Sequence, residues 1–301
     1  MKYPFSLFLF LSTLSSYAQT EIPIYSGAIP NAIPCSLRND SFVNATGVTL
    51  SSNIVTPTLS IYLPQKQNEA KSAILILPGG GYAYLATNHE GVAIAKAFNE
   101  IGVTAFVLKY RMPNDSCMSN KETVPLMDAQ QSMKYIRDHA KEYGINQNKV
   151  GVIGFSAGGH LASTLITKFN LNLLKTTTNL RPDFAILAYP VISMEDSLVH
   201  MGSRNKLLGL NPTQERIAYF SSNLQVTTNT PPTFIFHAKD DKTVPVMNSI
   251  QMKEALDAKK VRAQLLLMKT GNHGFGLGNA KTTVHWFPIA IDWLKEQSLM
   301  K

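Results

Sequence analysis

The chain has 301 residues, 45% of them hydrophobic and 16% charged, with a formal net charge of +8. That balance supports a sizeable buried core and excludes wholesale disorder. The basic residues are dispersed, the longest run being Lys259-Lys260; without a basic stripe or a recognised module, no nucleic-acid partner is expected.

The N-terminus reads as a secretory signal peptide. Lys2 supplies a minimal positive region, residues 5–14 are apolar, and Ser16-Tyr17-Ala18 puts small residues at the −3 and −1 positions. Cleavage is expected after Ala18, giving a secreted or periplasmic protein. The apolar stretch is short for a transmembrane span, so stable membrane insertion is not expected; an uncleaved anchor is the alternative. Cys35 and Cys117 are the two cysteines. In an oxidising compartment they can pair, but spacing alone leaves a disulfide and two free thiols equally open.

Residues 19–54 are rich in Pro, Asn, Ser and Thr with no helical period, and are expected as an extended arm ahead of a catalytic domain at 55–301. Residues 55–63 alternate as an early antiparallel strand, and the apolar run 73–77 suits a strand buried on both faces. Asn88 is placed to cap a helix carrying Val92, Ala95, Phe98 and Ile101, which Gly102 ends. Residues 103–108 form another β-branched strand, 113–121 a loop and 124–143 a helix. A buried strand at 150–155 leads to a helix at 157–169, and a further strand covers 184–189. Residues 192–230 break the alternation, with one helix expected at 214–220, and suit a small cap insertion over the mouth of a sheet. Strands at 233–237 and 263–268 and helices at 246–256 and 282–294 complete the chain. This alternation means an α/β fold, a mostly parallel central sheet with helices on both faces.

The chemistry is centred on Gly154-Phe155-Ser156-Ala157-Gly158. A G-x-S-x-G between strand and helix forces the serine into a strained backbone conformation and lifts its Oγ above the sheet. Three glycines, Gly79, Gly80 and Gly81, follow the buried strand 73–77, and cost conformational entropy unless backbone must approach something closely. The amides of Gly80, Gly81 and Ala157 are therefore expected to form an oxyanion hole. Serine needs a base, and the base an orienting acid. Both are found at strand ends: His273 between Asn272 and Gly274, and the pair Asp240-Asp241 after the strand 233–237. Asp241 is assigned as the acid because Asp-x-x-Val-Pro places it just before a proline-initiated helix; Asp240 is read as a loop-stabilising carboxylate. His160 lies four residues beyond Ser156 on the helix and points into the protein, a core or loop-pinning position. His237 is read as packed or hydrogen-bonded. His89, His139, His200 and His285 carry no motif, and nothing resembles a zinc site.

The motifs at 78–82, 154–160, 237–245 and 271–275, in that order, resemble α/β-hydrolase-fold carbohydrate esterases, closest to the secreted bacterial acetyl(xylan) esterases of the BD-FAE/Axe-like type. The resemblance covers about residues 55–298. Pro78 stands where related esterases begin their oxyanion motif with histidine. The resemblance implies a serine carboxylesterase acting on acetylated carbohydrate, with Ser156, Asp241 and His273 catalytic, Tyr82 contacting substrate, and no metal or organic cofactor. Feruloyl esterase and serine peptidase activities use the same triad and are the alternatives among enzymes; the prolyl-peptidase relatives carry an N-terminal propeller, for which the segment before residue 55 is too short. A non-catalytic carbohydrate-binding protein is the alternative outside them. The oligomeric state is not legible.

Overall fold

A computed structural model describes residues 19–282 and 284–300; the leader expected at 1–18 lies outside the described residues. The strands are β1 Gln19–Pro23, β2 Asp40–Val43, β3 Thr49–Ser52, β4 Thr58–Tyr62, β5 Ala73–Leu77, β6 Tyr84–Ala86, β7 Thr104–Lys109, β8 Val150–Phe155, β9 Ala185–Ala188, β10 Thr233–Ala238 and β11 Ala263–Met268. The helices are α1 Ala93–Glu100, α2 Val124–Asp138, α3 Ala157–Lys168, α4 Met201–Leu208, α5 Gln214–Phe220, α6 Met247–Ala258 and α7 Trp286–Glu296.

Eight strands form one sheet in the order β1-β4-β7-β5-β8-β9-β10-β11. The pairs β1·β4 and β4·β7 are antiparallel, and every pair from β7 to β11 is parallel. The parallel strands β5, β8, β9 and β10 are buried along their whole length, as continuous apolar runs require when helices cover both faces. On one face Leu126, Met133, Leu165 and Met252 of α2, α3 and α6 meet the sheet. On the other, Phe98 of α1 and Trp286 and Leu294 of α7 do so. All the parallel strands therefore end on one edge, where chain crossovers leave loops free to carry chemistry.

Segment 19–54 does more than extend over the surface. It supplies β1 to the edge of the main sheet, and β2 and β3 pair with β6 in a separate three-stranded sheet. Two ties hold it down. Cys35 is bonded to Cys117 with a Cα–Cα distance of 5.2 Å. The buried ion pair Arg111–Asp128 (2.6 Å) also takes the Tyr25 hydroxyl on Asp128 (2.9 Å) and offers an N–H to the Pro30 carbonyl (2.6 Å).

Three local expectations change. Asn88 caps no helix: a π-helical turn at Thr87–Val92 precedes α1, and the Asn88 side chain instead ties the Thr49 amide (2.8 Å) and the Gly47 carbonyl (3.1 Å) of the small sheet. Helix α2 stops at Asp138, well before residue 143. The 192–230 stretch holds α4 as well as α5. The helix α4 hides in sequence because Gly202 and four polar residues dilute its apolar period, and its N-cap is His200, whose Nδ1 accepts from the Ser203 amide at 3.3 Å.

Candidate active site

Strand β8 runs directly into Ser156 and helix α3 begins on the next residue. Ser156 has φ 52° and ψ −116°, a conformation costing about 1–3 kcal/mol that persists only when its surroundings hold it. They do so through backbone. The Ser156 N–H donates to the Ala188 carbonyl, and its carbonyl accepts from the amides of His160 and Val191, each at 3.0 Å. A Cβ on Gly158 would sit 2.1 Å from the Leu77 carbonyl oxygen; the end of β5 and the first turn of α3 touch so closely that only glycine fits.

Ser156 Oγ lies 2.8 Å from His273 Nε2, and His273 Nδ1 lies 2.6 Å from Asp241 Oδ2. The Asp241 side chain is fully buried, while that of His273 is 17% exposed. With Nδ1 donating to the carboxylate, Nε2 is left to accept from the serine hydroxyl. Asp241 Oδ1 accepts from the amides of Thr243 (2.8 Å) and Val244 (2.9 Å). Its Oδ2 takes a second histidine, His237 Nε2, at 3.0 Å. That nitrogen also faces the Val244 carbonyl at 3.1 Å. Both neighbours are acceptors, so Nε2 carries the proton, and Nδ1 accepts from the Ser249 hydroxyl at 2.8 Å. Burial alone would push the Asp241 carboxyl up. The hydrogen bonds from His237 and His273, the charge of His273 and the Val244 amide outweigh it and hold the group well below the usual carboxylate range. Asp240 accepts the Asn272 amide at 2.9 Å and so fastens its own loop to that of His273.

Beside the serine, the glycine turn is closed by two amides, those of Ala83 (3.0 Å) and Tyr84 (2.9 Å), donating to the Gly80 carbonyl. Gly80 (φ 137°) and Gly81 (φ 65°) take conformations that side chains resist. The Gly79 N–H is already engaged, donating to Glu90 Oε2 at 2.8 Å. Ala157 is the first residue of α3, so its N–H has no intrahelical acceptor. Glu90 is buried, and its Oε1 accepts from the Tyr189 hydroxyl at 2.6 Å. The same hydroxyl accepts the Gly276 amide at 2.9 Å, and the Tyr189 ring meets His273 edge-on at 5.0 Å. Glu90 and Tyr189 thus join the glycine turn to the loop that carries His273. Neither is marked by a motif, because a buried glutamate in a helical stretch looks like any surface glutamate until its partners are known.

Tyr82 is corrected. Expected at the substrate, it is 1% exposed and turned inward. Its hydroxyl meets His160 Nδ1 at 2.8 Å, and His160 Nε2 meets the Phe220 carbonyl at 2.8 Å. The aromatic side chain follows the burial its area favours and finds a polar partner for its hydroxyl. His160 therefore pins the end of α5 from beneath, the loop-pinning position expected of it, and burial pushes its imidazole down to about 4.

Ser156 and His273 open into a cavity of about 440 Å³, within the size range of ligand pockets. One wall comes from the small sheet and its approach, with Val48, Tyr84 and Ala86; another comes from α4, with His200 and Lys206. Burial first, then the like charge of His273, lower the His200 imidazole against the opposing pull of Asp241. As a lining residue of the cavity, His200 reaches the site without any motif around it. Among the described residues, no three His, Cys, Asp or Glu side chains gather as a metal-binding group.

The BD-FAE family model matches residues 59–256. An acetylxylan esterase of Xylanibacter ruminicola is 38% identical over 221 residues, which is 72% of this chain and 43% of that protein. An endo-1,4-beta-xylanase B of Butyrivibrio fibrisolvens is 37% identical over 237 residues, 76% of this chain and 36% of that protein. The chain spans less than half the length of these relatives. Among solved structures, an acetyl ester-xyloside bifunctional hydrolase from Caldicellulosiruptor lactoaceticus superimposes with a TM-score of 0.77 at 33% identity, over 94% of this chain and 97% of that one. The carboxylesterase Cest-2923 from Lactobacillus plantarum shares the fold, with a TM-score of 0.67 at 22% identity. The chain has the α/β-hydrolase fold and belongs to the BD-FAE family.

Proposed function

We propose that the protein is a serine carboxylesterase that removes acetyl groups from xylan-type polysaccharide or its oligosaccharides. The observation that carries this is the unbroken relay Ser156 Oγ, His273, Asp241, with contacts of 2.8 and 2.6 Å. The named activities of the relatives support the substrate class.

In this reading His273 Nε2 takes the Ser156 proton as Oγ attacks the acetyl carbonyl. The amides of Gly80, Gly81 and Ala157 hold the oxyanion of the tetrahedral intermediate. His273 then returns its proton to the departing sugar oxygen, leaving an acetyl-serine. Water, deprotonated by the same nitrogen, attacks the acyl carbon; acetate leaves and Ser156 recovers its proton. Asp241 keeps Nδ1 protonated throughout and stabilises the imidazolium. Losing one oxyanion donor typically costs about 100- to 1000-fold in rate.

Export to an oxidising compartment is part of the proposal, supported by the leader pattern and by the Cys35–Cys117 bond.

The test is acetate release from acetylated xylan and acetylated xylo-oligosaccharides, beside Ser156→Ala and a feruloylated substrate. The expected result is release by the native protein and a loss of about 10⁴-fold or more in the variant. Ferulate release without acetate release would replace the acetyl assignment, and near-native turnover by Ser156→Ala would end the mechanism.

A further inference from the structure

The three-stranded sheet β2-β3-β6 has two unlike faces. On one, Leu85 is fully buried and Ser51 nearly so, fixing the sheet to the body of the protein. The register pairs Phe42 with Leu50 and Leu50 with Ala86, and Ser52 with Tyr84. Since side chains alternate along a strand, Phe42, Leu50, Tyr84 and Ala86 share the other face. That face is left open: Phe42 is 43% exposed and Tyr84 42% exposed. Their rings meet edge-on at 5.9 Å. Isolated exposed apolar residues need no explanation, but a paired aromatic patch beside a cavity marks a binding surface.

The patch is continuous with the site. Tyr84 and Ala86 line the cavity that Ser156 and His273 also line. It is also rigidly tied to the glycine turn, since the Tyr84 amide donates to the Gly80 carbonyl and the Ala86 amide to the Gly79 carbonyl, each at 2.9 Å. Asn88 and Thr87 add side-chain bonds to Thr49 and Ser51. A ring resting on Tyr84 is therefore held at a set distance from Ser156 Oγ. Strand β2 is exposed at every position, so core packing does not account for Phe42.

We propose that Phe42 and Tyr84 form a subsite for a pyranose ring of the chain that carries the ester. The proposal rests on the reading of the site as one that takes carbohydrate esters. A pyranose presents a face of C–H groups to an aromatic ring while its hydroxyls stay in water at the perimeter. A half-exposed aromatic pair provides that environment, whereas a fully apolar partner would bury it completely. The cavity is much larger than an acetyl group, so part of the carrier of the ester fits inside it beside Tyr84. On the α4 wall, Lys206 is exposed and makes no ion pair or hydrogen bond among the described residues, so its ammonium is available to sugar hydroxyls.

The test separates binding from turnover. Ser156→Ala is titrated with xylohexaose by calorimetry, alone and combined with Phe42→Ala or Tyr84→Ala. The expected result is binding that each aromatic truncation weakens about tenfold, the scale of one interface anchor. In the active protein, Phe42→Ala should lower the ratio of kcat/KM on acetylated xylo-oligosaccharide to kcat/KM on p-nitrophenyl acetate by about the same factor, through KM. Thermal melting of each variant checks that the fold is kept. No binding of xylohexaose, binding unaltered by Phe42→Ala, or an unaltered ratio each overturns the subsite. A selective loss on a feruloyl ester instead assigns the patch to an aryl acyl group and also overturns it. Xylohexaose binding through Phe42, with no acetate released from any glycan, upholds the subsite and removes the acetyl-ester reading.

Discussion

Asp241 accepts four hydrogen bonds, from the amides of Thr243 and Val244 and from His237 and His273. The carboxylate is thereby held in one orientation, and His273 receives it as a fixed acceptor. In Asp241→Asn an amide NH₂ faces at least one donor, so a histidine must take the wrong tautomer. By analogy with the same change in serine hydrolases, kcat should fall about 10⁴-fold with the fold retained. Steady-state kinetics with a melting curve checks this. The acid range separates two side chains. Asp241 titrates well below its unfolded value, so its contribution is complete above that value, near 4, and is lost only at strongly acidic pH. His160 is the opposite case, a buried neutral imidazole pushed down to about 4. Its unfolded value is about 6.5, so the unfolded chain takes the proton first. Its contribution is complete above about pH 6.5 and is lost as pH falls towards about 4. Urea midpoints between pH 7 and pH 4 should therefore decline, and His160→Gln should flatten that decline.

Among elements, the decisive contacts run between loops that are distant in sequence. Glu90, in the π-helical turn before α1, receives the Gly79 amide on one oxygen and the Tyr189 hydroxyl on the other. The Gly79 amide can only donate, so it keeps the one oxygen that Glu90→Gln retains. The new NH₂ then faces the Tyr189 hydroxyl, which must turn to accept from it as well as from the Gly276 amide and leaves its own proton unmatched, at a cost of about 1–3 kcal/mol. The glycine turn and the His273 loop then lose their common tether. We expect kcat on a small ester to fall at least about tenfold, with a smaller change in KM, because misplacement near reacting atoms is paid in the transition state. Equal kcat in Glu90→Gln and the native protein would remove Glu90 from the positioning of the site.

For the whole molecule, the first strands are fastened to the sheet by chemistry from far along the chain. Cys35 and Cys117 are separated by 82 residues, and their bond joins segment 19–54 to the loop beyond β7. The segment carries Val48 of the cavity wall, and its β2 and β3 complete the small sheet whose β6 supplies Tyr84 and Ala86 to that wall. Replacing both cysteines by serine should lower unfolding stability by roughly 2–5 kcal/mol, as for native disulfides closing long loops. Urea unfolding of the variant, compared with the oxidised native protein, measures it, and the native protein in reductant should match the variant. If the small sheet loosens as well, turnover of oligosaccharide should suffer more than turnover of a small ester. No helix of the described residues is long and apolar enough to cross a membrane.

The sequence by itself determined the alternation of strands and helices and the parallel core, because continuous apolar runs and helical periods are local properties. It also determined where Ser156, Asp241 and His273 stand: Ser156 lies between Gly154 and Gly158, His273 precedes Gly274, and Asp241 comes four residues before Pro245. Only the tertiary structure decided what surrounds them. Glu90, Tyr189, His200 and His237 acquire their positions from contacts across the sheet edge, and no local spacing encodes those. Tyr82 shows the same limit from the other side: its neighbours in the chain line the cavity, while the burial of its ring against His160 turns it away. The pairing of Cys35 with Cys117 and the open aromatic face of the small sheet were likewise settled by packing. Local pattern selects an element and its turn; which side chain meets which depends on how the elements are stacked.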